Sequence, residues 1–336
     1  MIVVLALLGL AAIATIVVWI GSTWLETAAD RIAVGYGVPA VVQGAIIAAV
    51  GSSMPELVTV LLATLLHGEF ELGVGAIVGS AVFNLLVIPG IAALAGPGGM
   101  ETGRALAYKE ALFYMLAVAT LLLTFSLAVI YNPVEGVGLQ GDVTRPLAAF
   151  PLVIYGLYVF TQYLDTAEHE GAADPTVDRT RAWLRFGAGL VVIVIGVEGL
   201  VRAAIGLGEA FGTPAFLWGM IVVAAGSSVP DAFVSVTAAR SGRPSVSLAN
   251  VLGSNVFDLL VAVPVGVLVA GTLTITFAHV VPMMGFLLAA TIVFFAIVRT
   301  DMLLTVREAY ALLAIYGVFV AWLVLESVGA TGIVPT

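Results

Sequence analysis

Two six-residue stretches of this 336-residue chain combine acid, hydroxyl and helix-breaking residues in one order: Gly51-Ser52-Ser53-Met54-Pro55-Glu56 and Gly226-Ser227-Ser228-Val229-Pro230-Asp231. Each is followed by a second polar group, Ser80 with Asn84 and Ser254 with Asn255 and Asp258. Carboxylate, hydroxyl and amide oxygens are hard ligands that suit calcium, magnesium or sodium and not a soft transition metal. The chain holds no cysteine and only three histidines, so thiolate metal sites and a disulfide framework are excluded and no HExxH spacing occurs. A phosphate-binding GxxxxGK[ST] loop is also missing from the sequence, so ATP is not the energy source.

The elements that carry these residues must cross a bilayer. Hydrophobic residues make up 61% of the chain and charged residues 10%, whereas a soluble domain carries about 25% charged residues. Ten apolar segments near bilayer-spanning length fall at 2–21, 38–66, 72–96, 109–131, 148–164, 184–204, 213–239, 246–271, 275–298 and 307–327. The first lacks a preceding basic residue and an evident cleavage site, so it reads as a membrane helix and not as a signal peptide. An acid inside such a segment costs a few kcal/mol or more, which makes Glu56, Asp231 and Asp258 an ion or substrate site by default. A structural hydrogen bond is the plain alternative for each acid, a bond to its own helix for each serine, and helix–helix contact for Asn84 and Asn255.

With the N-terminus outside, the inner connections hold Arg31, Arg104, Lys109, Arg179, Arg181, Arg185, Arg240, Arg243, Arg299 and Arg307, against Arg145 and Arg202 outside. This bias places both termini on the exterior of the cell membrane. The chain also repeats itself. Ile20-Gly21 recurs as Ile195-Gly196, Pro39-Ala40 as Pro214-Ala215 and Gly51-Ser52-Ser53 as Gly226-Ser227-Ser228 at an offset of 175, and Gly79-Ser80 recurs as Gly253-Ser254 at 174. An odd number of spans per half inverts the second half relative to the first, the pattern of a secondary transporter whose site lies at the repeat interface near the midplane. Residues 1–164 form the first half, 165–183 a cytoplasmic linker with no room for a regulatory domain, and 184–336 the second half.

Proline at 55 and 230 removes a backbone donor and disfavours helix in the residue before it, so spans 2 and 7 are expected to be interrupted there. Freed carbonyls at such a break can face a bound cation. In the second half Asn250, Ser254 and Asp258 are four residues apart, one face of a helix; Ser80 and Asn84 share that spacing in the first. Glu198 and Arg202 read as an i,i+4 pair, His67, Glu69 and Glu71 as a solvated loop, and Gln43 and Trp218 as packing residues.

The paired motifs GSSMPE with GSAVFN and GSSVPD with GSNVFD resemble the two alpha-repeats of the calcium/cation antiporter superfamily, and within it the sodium/calcium exchangers. The resemblance covers 21–271, with the alpha-1 motif in 38–96 and the alpha-2 motif in 213–271. It implies an all-α membrane protein of ten transmembrane helices in two inverted five-helix repeats. It further implies antiport of Ca2+ and Na+ by alternating access, with Glu56 and Asp231 as central calcium ligands. Asn84, Asp258, Ser80, Ser254, Ser52, Ser53, Ser227 and Ser228 would line the calcium and sodium positions, and Asn255 lies beside them. The pairing of Asp231 with Asp258 also resembles the potassium-dependent branch, which leaves K+ open as a partner ion, and H+ stays open beside it. Three carboxylates exceed the charge of one calcium ion, so charge balance has Asp258 neutral when calcium binds.

Neither a channel nor an enzyme fits as well. A channel needs a continuous pore, usually formed around a subunit axis, and the hydroxyl-rich motifs contain no nucleophile paired with a base. The expected partners are therefore inorganic cations and the lipid bilayer, with no nucleic acid and no cofactor. One chain contains the whole site, so a monomer can function.

Overall fold

A computed structural model describes residues 1–38, 48–96, 99–103, 106–136, 138–166, 174, 176–300, 302–327 and 330–332, with the backbone alone at 48, 49, 106, 107, 165, 166 and 246. Gln43 and, within the 165–183 linker, 167–173 and 175 lie outside the described residues. The described chain is helical apart from two short β ladders. Among the described residues eight helices are long and apolar enough to span a bilayer, nine if one bent pair counts as a single span. The expected second span is the one left out of this count, because 39–47 are outside the described residues and the helix that follows, Met54–Leu65, has 12 residues.

The first helix, α1 (Ile2–Gly35), has 34 residues and runs well past the expected limit of residue 21. Nothing between 21 and 35 breaks a helix, and Ala28, Ala29 and Ala33 stay buried there. After α2 (Ala48–Ser52) and α3 (Met54–Leu65) comes α4 (Phe70–Ala95), which is buried on nearly every side. Such a helix is apolar all round because it has no solvent face to mark. The first half continues with α5 (Ala111–Tyr131) and α6 (Arg145–Thr166).

The second half opens on α7 (Arg179–Phe211), 33 residues long, whose first turn is capped by the Asp178 side chain accepting from Arg181 N at 3.0 Å. That cap starts the helix inside the stretch expected to be linker, because an aspartate at this position satisfies an otherwise orphaned N–H. There follow α8 (Ala215–Trp218), a π-helical turn at Gly219–Val223, α9 (Ala224–Ser227), α10 (Val229–Arg240) and α11 (Pro244–Phe257). Last come a second π-helical turn at Asp258–Ala262, α12 (Val263–Ala270), α13 (Phe277–Arg299) and α14 (Val306–Ser327).

Long helices α1 and α7 lie along one another on a glycine seam. A Cβ on Gly21 would stand 2.8 Å from Ile193 N, one on Gly189 2.8 Å from Leu25 N and one on Gly196 2.8 Å from Val18 N. Without a strong hydrophobic drive between helices in lipid, such close backbone approach is what holds a pair together. Their outer faces carry exposed Ile13, Ile16, Ile20, Val191 and Ile195, an apolar surface that suits lipid and not water. Glycines also let α4 meet the second half: a Cβ at Gly75 would come within 2.6 Å of Phe216 O, and one at Gly79 would overlap Met220.

The connections sort onto two ends of the bundle. At one end β1 (Met100–Glu101) pairs antiparallel with β4 (Leu303–Leu304), and Arg179 donates to Gly35 O at 2.7 Å. At the other, β2 (Gln140–Val143) pairs antiparallel with β3 (Leu273–Thr276). There the loop after α3 is less solvated than expected: His67 Nε2 lies 3.0 Å from Glu198 Oε2, and His279 Nδ1 lies 2.9 Å from Glu71 Oε2. Those partners lie more than a hundred residues away, so loop composition alone does not reveal them. Glu198 also accepts from Arg202 Nε at 2.6 Å, the i,i+4 pair expected from the sequence, and Trp218 packs on Phe211.

Candidate cation site

Both helix breaks take the same shape. Ser53 separates α2 from α3 with φ −86° and ψ 5°, and Ser228 separates α9 from α10 with φ −86° and ψ −2°. The axis bends by 43° at the second. Pro55 and Pro230 sit on the first turn after each break, where a missing N–H is tolerated. They cannot donate to the carbonyls of Gly51 and Gly226, which are thereby freed. Glu56 and Asp231 follow directly, also on a first turn, where the helix dipole favours an anion.

Each broken segment is bonded to the other half of the molecule. Ser52 Oγ lies 2.8 Å from Ser254 Oγ, and Ser53 Oγ donates to Ser254 O at 3.3 Å. In the converse direction Ser80 Oγ lies 2.8 Å from Ser228 Oγ, and Asn84 Nδ2 donates to Asp231 Oδ2 at 3.2 Å and to Asn255 Oδ1 at 3.0 Å. Asn255 Nδ2 in turn reaches Ala81 O at 3.2 Å and Tyr114 OH at 3.4 Å. Ser227 donates to Ala224 O at 3.4 Å within its own turn and stands beside Glu56, while Asn250 stands beside Asp231.

All eleven residues singled out in the sequence gather in this cluster, and none is more than 2% exposed. Hydroxyls and amides pair with one another, but most carboxylate oxygens do not. Glu56 Oε1 and Oε2, Asp231 Oδ1, Asp258 Oδ1 and Oδ2, and Asn84 Oδ1 are all buried without a hydrogen-bond partner. An unpaired buried anion costs several kcal/mol, so these oxygens call for a cation. Among the described residues no three His, Asp or Glu side chains converge tightly enough to hold a metal alone. A cation here would draw on serine, asparagine and backbone oxygens as well, as calcium and sodium readily do.

Tyr114 and Glu26 were not legible as neighbours of this cluster. Tyr114 comes from α5 and touches Asn255 through its hydroxyl. Glu26 comes from α1 and has Gly51 close by. Neither belongs to a motif, and only the packing of α1 and α5 against the breaks brings them in.

A multi-pass helical membrane protein with buried, cation-seeking oxygens at two matching helix breaks is built as a carrier for cations. The chain belongs to the family described as sodium/calcium exchanger protein, whose model matches residues 6–164 and 181–325. It is 26% identical over 265 residues to the putative antiporter CaxA of Alkalimonas amylolytica, covering 77% of this chain and 81% of that one. It is also 25% identical over 274 residues to the sodium/calcium exchanger MaX1 of Methanosarcina acetivorans, covering 71% and 76%. Its fold is similar to that of the sodium-calcium exchanger NCX_Mj, with a TM-score of 0.65, 23% identity and coverage of 95% of this chain and 99% of the other.

Proposed function

We propose that this protein is a sodium/calcium antiporter that extrudes Ca2+ in exchange for entering Na+ at one shared midplane site. The observation that carries this reading is the set of buried, unpartnered oxygens on Glu56, Asp231 and Asp258 beside serine hydroxyls that pair across the two halves. Glu56 and Asp231 are the central calcium ligands in this reading. Ser52, Ser53, Ser227 and Ser228, with Ser80, Asn84, Ser254, Asn255 and Asp258, complete the calcium and sodium positions. Because both ions need the same acids, occupancy by one excludes the other, and exchange follows from alternating exposure of the site to the two ends.

The architecture in this reading is ten spans in two inverted repeats, 1–164 and 184–336, joined by 165–183. It counts α2 and α3 with the residues before them as span 2, and α8 to α10 as span 7. Both termini lie outside the plasma membrane, since the connections at the β1–β4 end carry most of the basic residues.

Calcium-45 uptake into proteoliposomes loaded with Na+, K+ or a pH gradient tests the proposal. Uptake driven by an outward Na+ gradient in the absence of K+ is expected. Uptake that requires K+ would assign the potassium-coupled reading instead, and uptake driven only by protons would assign calcium/proton exchange.

A further inference from the structure

A second anionic position lies outside the site just described. A cavity of about 310 Å³ opens between α1 and α10, with Trp19, Thr23, Glu26, Phe233, Thr237 and Arg243 on its walls. It runs from Pro230, the residue before Asp231, to Arg243 in the connection beyond α10. That connection lies at the end of the bundle that carries most of the basic residues. The rings of Trp19 and Phe233 meet across it with centroids 5.2 Å apart. Glu26 is its one acid. Its Oε1 is buried and has no hydrogen-bond partner, and among the described residues no ion pair joins it to Arg243.

The inverted repeat makes this acid conspicuous. At the offset of 175 that relates the two halves, Glu26 corresponds to Val201, which is fully buried in apolar packing. The fold therefore does not require a carboxylate at this position. A cavity of about 310 Å³ has room for roughly ten waters at about 30 Å³ each, so an ion in it can keep its hydration shell. Calcium sheds water readily and accepts such mixed coordination. One carboxylate flanked by the Thr23 and Thr237 hydroxyls supplies charge without the full ligand set that would trap the ion.

We propose that this cavity is a vestibule in which Glu26 holds a hydrated divalent cation before it passes to Asp231, setting the affinity of the carrier from the arginine-bearing end alone. The vestibule depends on the exchange reading for its cargo but makes a separate demand, that its effect be one-sided. A carboxylate at the mouth of a low-dielectric passage raises local cation concentration in a salt-dependent way.

The test uses the full-length chain in oriented proteoliposomes. Glu26→Gln is expected to raise the calcium KM measured from the arginine-bearing side by roughly three- to tenfold, to leave KM from the opposite side unchanged, and to flatten the salt dependence of the former. Glu26→Asp should retain most of the wild-type affinity. Because the natural chain has no cysteine, Thr237→Cys gives an independent readout. Calcium should slow its modification by a membrane-impermeant thiol reagent in the Glu26 background and not alongside Glu26→Gln. Equal KM changes on both sides, no change on either, or calcium protection that survives Glu26→Gln would overturn the vestibule. A wild-type protein that moves no calcium would instead defeat the exchange reading, and the thiol-protection measurement would still decide whether Glu26 binds the ion.

Discussion

The two halves turn at Ser53 and Ser228 through nearly the same backbone angles, φ −86° at both and ψ of 5° and −2°. They then present different charges to the space between them. On the first half Glu56 faces the site with Asn84 from the middle of α4, whereas the second offers Asp231 and Asp258. The hydroxyl bridges reach across in both directions, Ser52 to Ser254 and Ser80 to Ser228 at 2.8 Å each. Scaffold and charge thus follow different rules. Repetition supplies the breaks, hydroxyls and close-packing glycines, and the departure from repetition at 84 and 258 sets the net charge that a cation must balance.

Removing a central acid from either half should have the largest effect. Glu56→Gln and Asp231→Asn each take away an anion from the proposed site, and a loss of about 3 kcal/mol corresponds to roughly 100-fold in calcium affinity. Calcium-45 flux with near wild-type rate in either variant would show that the two halves do not share the ion. The scaffold should be equally sensitive on both sides, since Gly21 and Gly196 are repeat mates in one seam. Gly21→Val and Gly196→Val are each expected to cost about 2 kcal/mol by overpacking. Gly187→Val, where no atom lies within 4 Å of the added Cβ, should cost little. Thermal unfolding in detergent measures all three, and unequal losses at 21 and 196 would break the symmetry of the scaffold.

The charge difference itself is tested by Asp258→Asn, which gives the second half the amide that the first already has at Asn84. Calcium affinity is expected to fall by about tenfold at most, or 1.4 kcal/mol, clearly less than for Glu56→Gln. A loss as large as that of Glu56→Gln would make Asp258 a charged ligand equal to the other two. The smallest effect belongs to the bridges. Ser80→Ala removes one buried hydroxyl pair, worth about 1 kcal/mol or roughly fivefold in sodium or calcium affinity, and Ser254→Ala should match it. Isothermal titration of both variants would separate them if one hydroxyl contributes far more than its counterpart.

How much of this was legible without coordinates follows from what leaves a local mark. A proline after Gly-Ser-Ser in an apolar run breaks a helix wherever it is placed, and both breaks stand where the motif put them. Polar residues inside apolar spans mark themselves by their cost, and all eleven lie together. The extents of α1 and α7 were underestimated, because an apolar run of bilayer length ends near 21 and 204 although the helices continue to Gly35 and Phe211. The loop assigned to His67, Glu69 and Glu71 shows the complementary limit. Its partners Glu198 and His279 are brought in by tertiary packing, which loop composition does not encode. Glu26 was missed for the same reason, since only the packing of α1 beside α2 and α10 gives it a cavity.

The seam between α1 and α7 also governs how the protein can be made. Gly21 meets Gly189 and Ile193, some 170 residues further along, so the first helix leaves the ribosome long before its partner exists. Contacts of such sequence separation form late and slowly. Meanwhile α1 must wait in the bilayer with its small-residue face, and the freed carbonyl of Gly51 nearby, covered by lipid or by an insertion chaperone. A chain truncated before Arg179 should therefore be degraded rapidly in the membrane, and co-expression of residues 179–336 as a separate piece should prolong its lifetime.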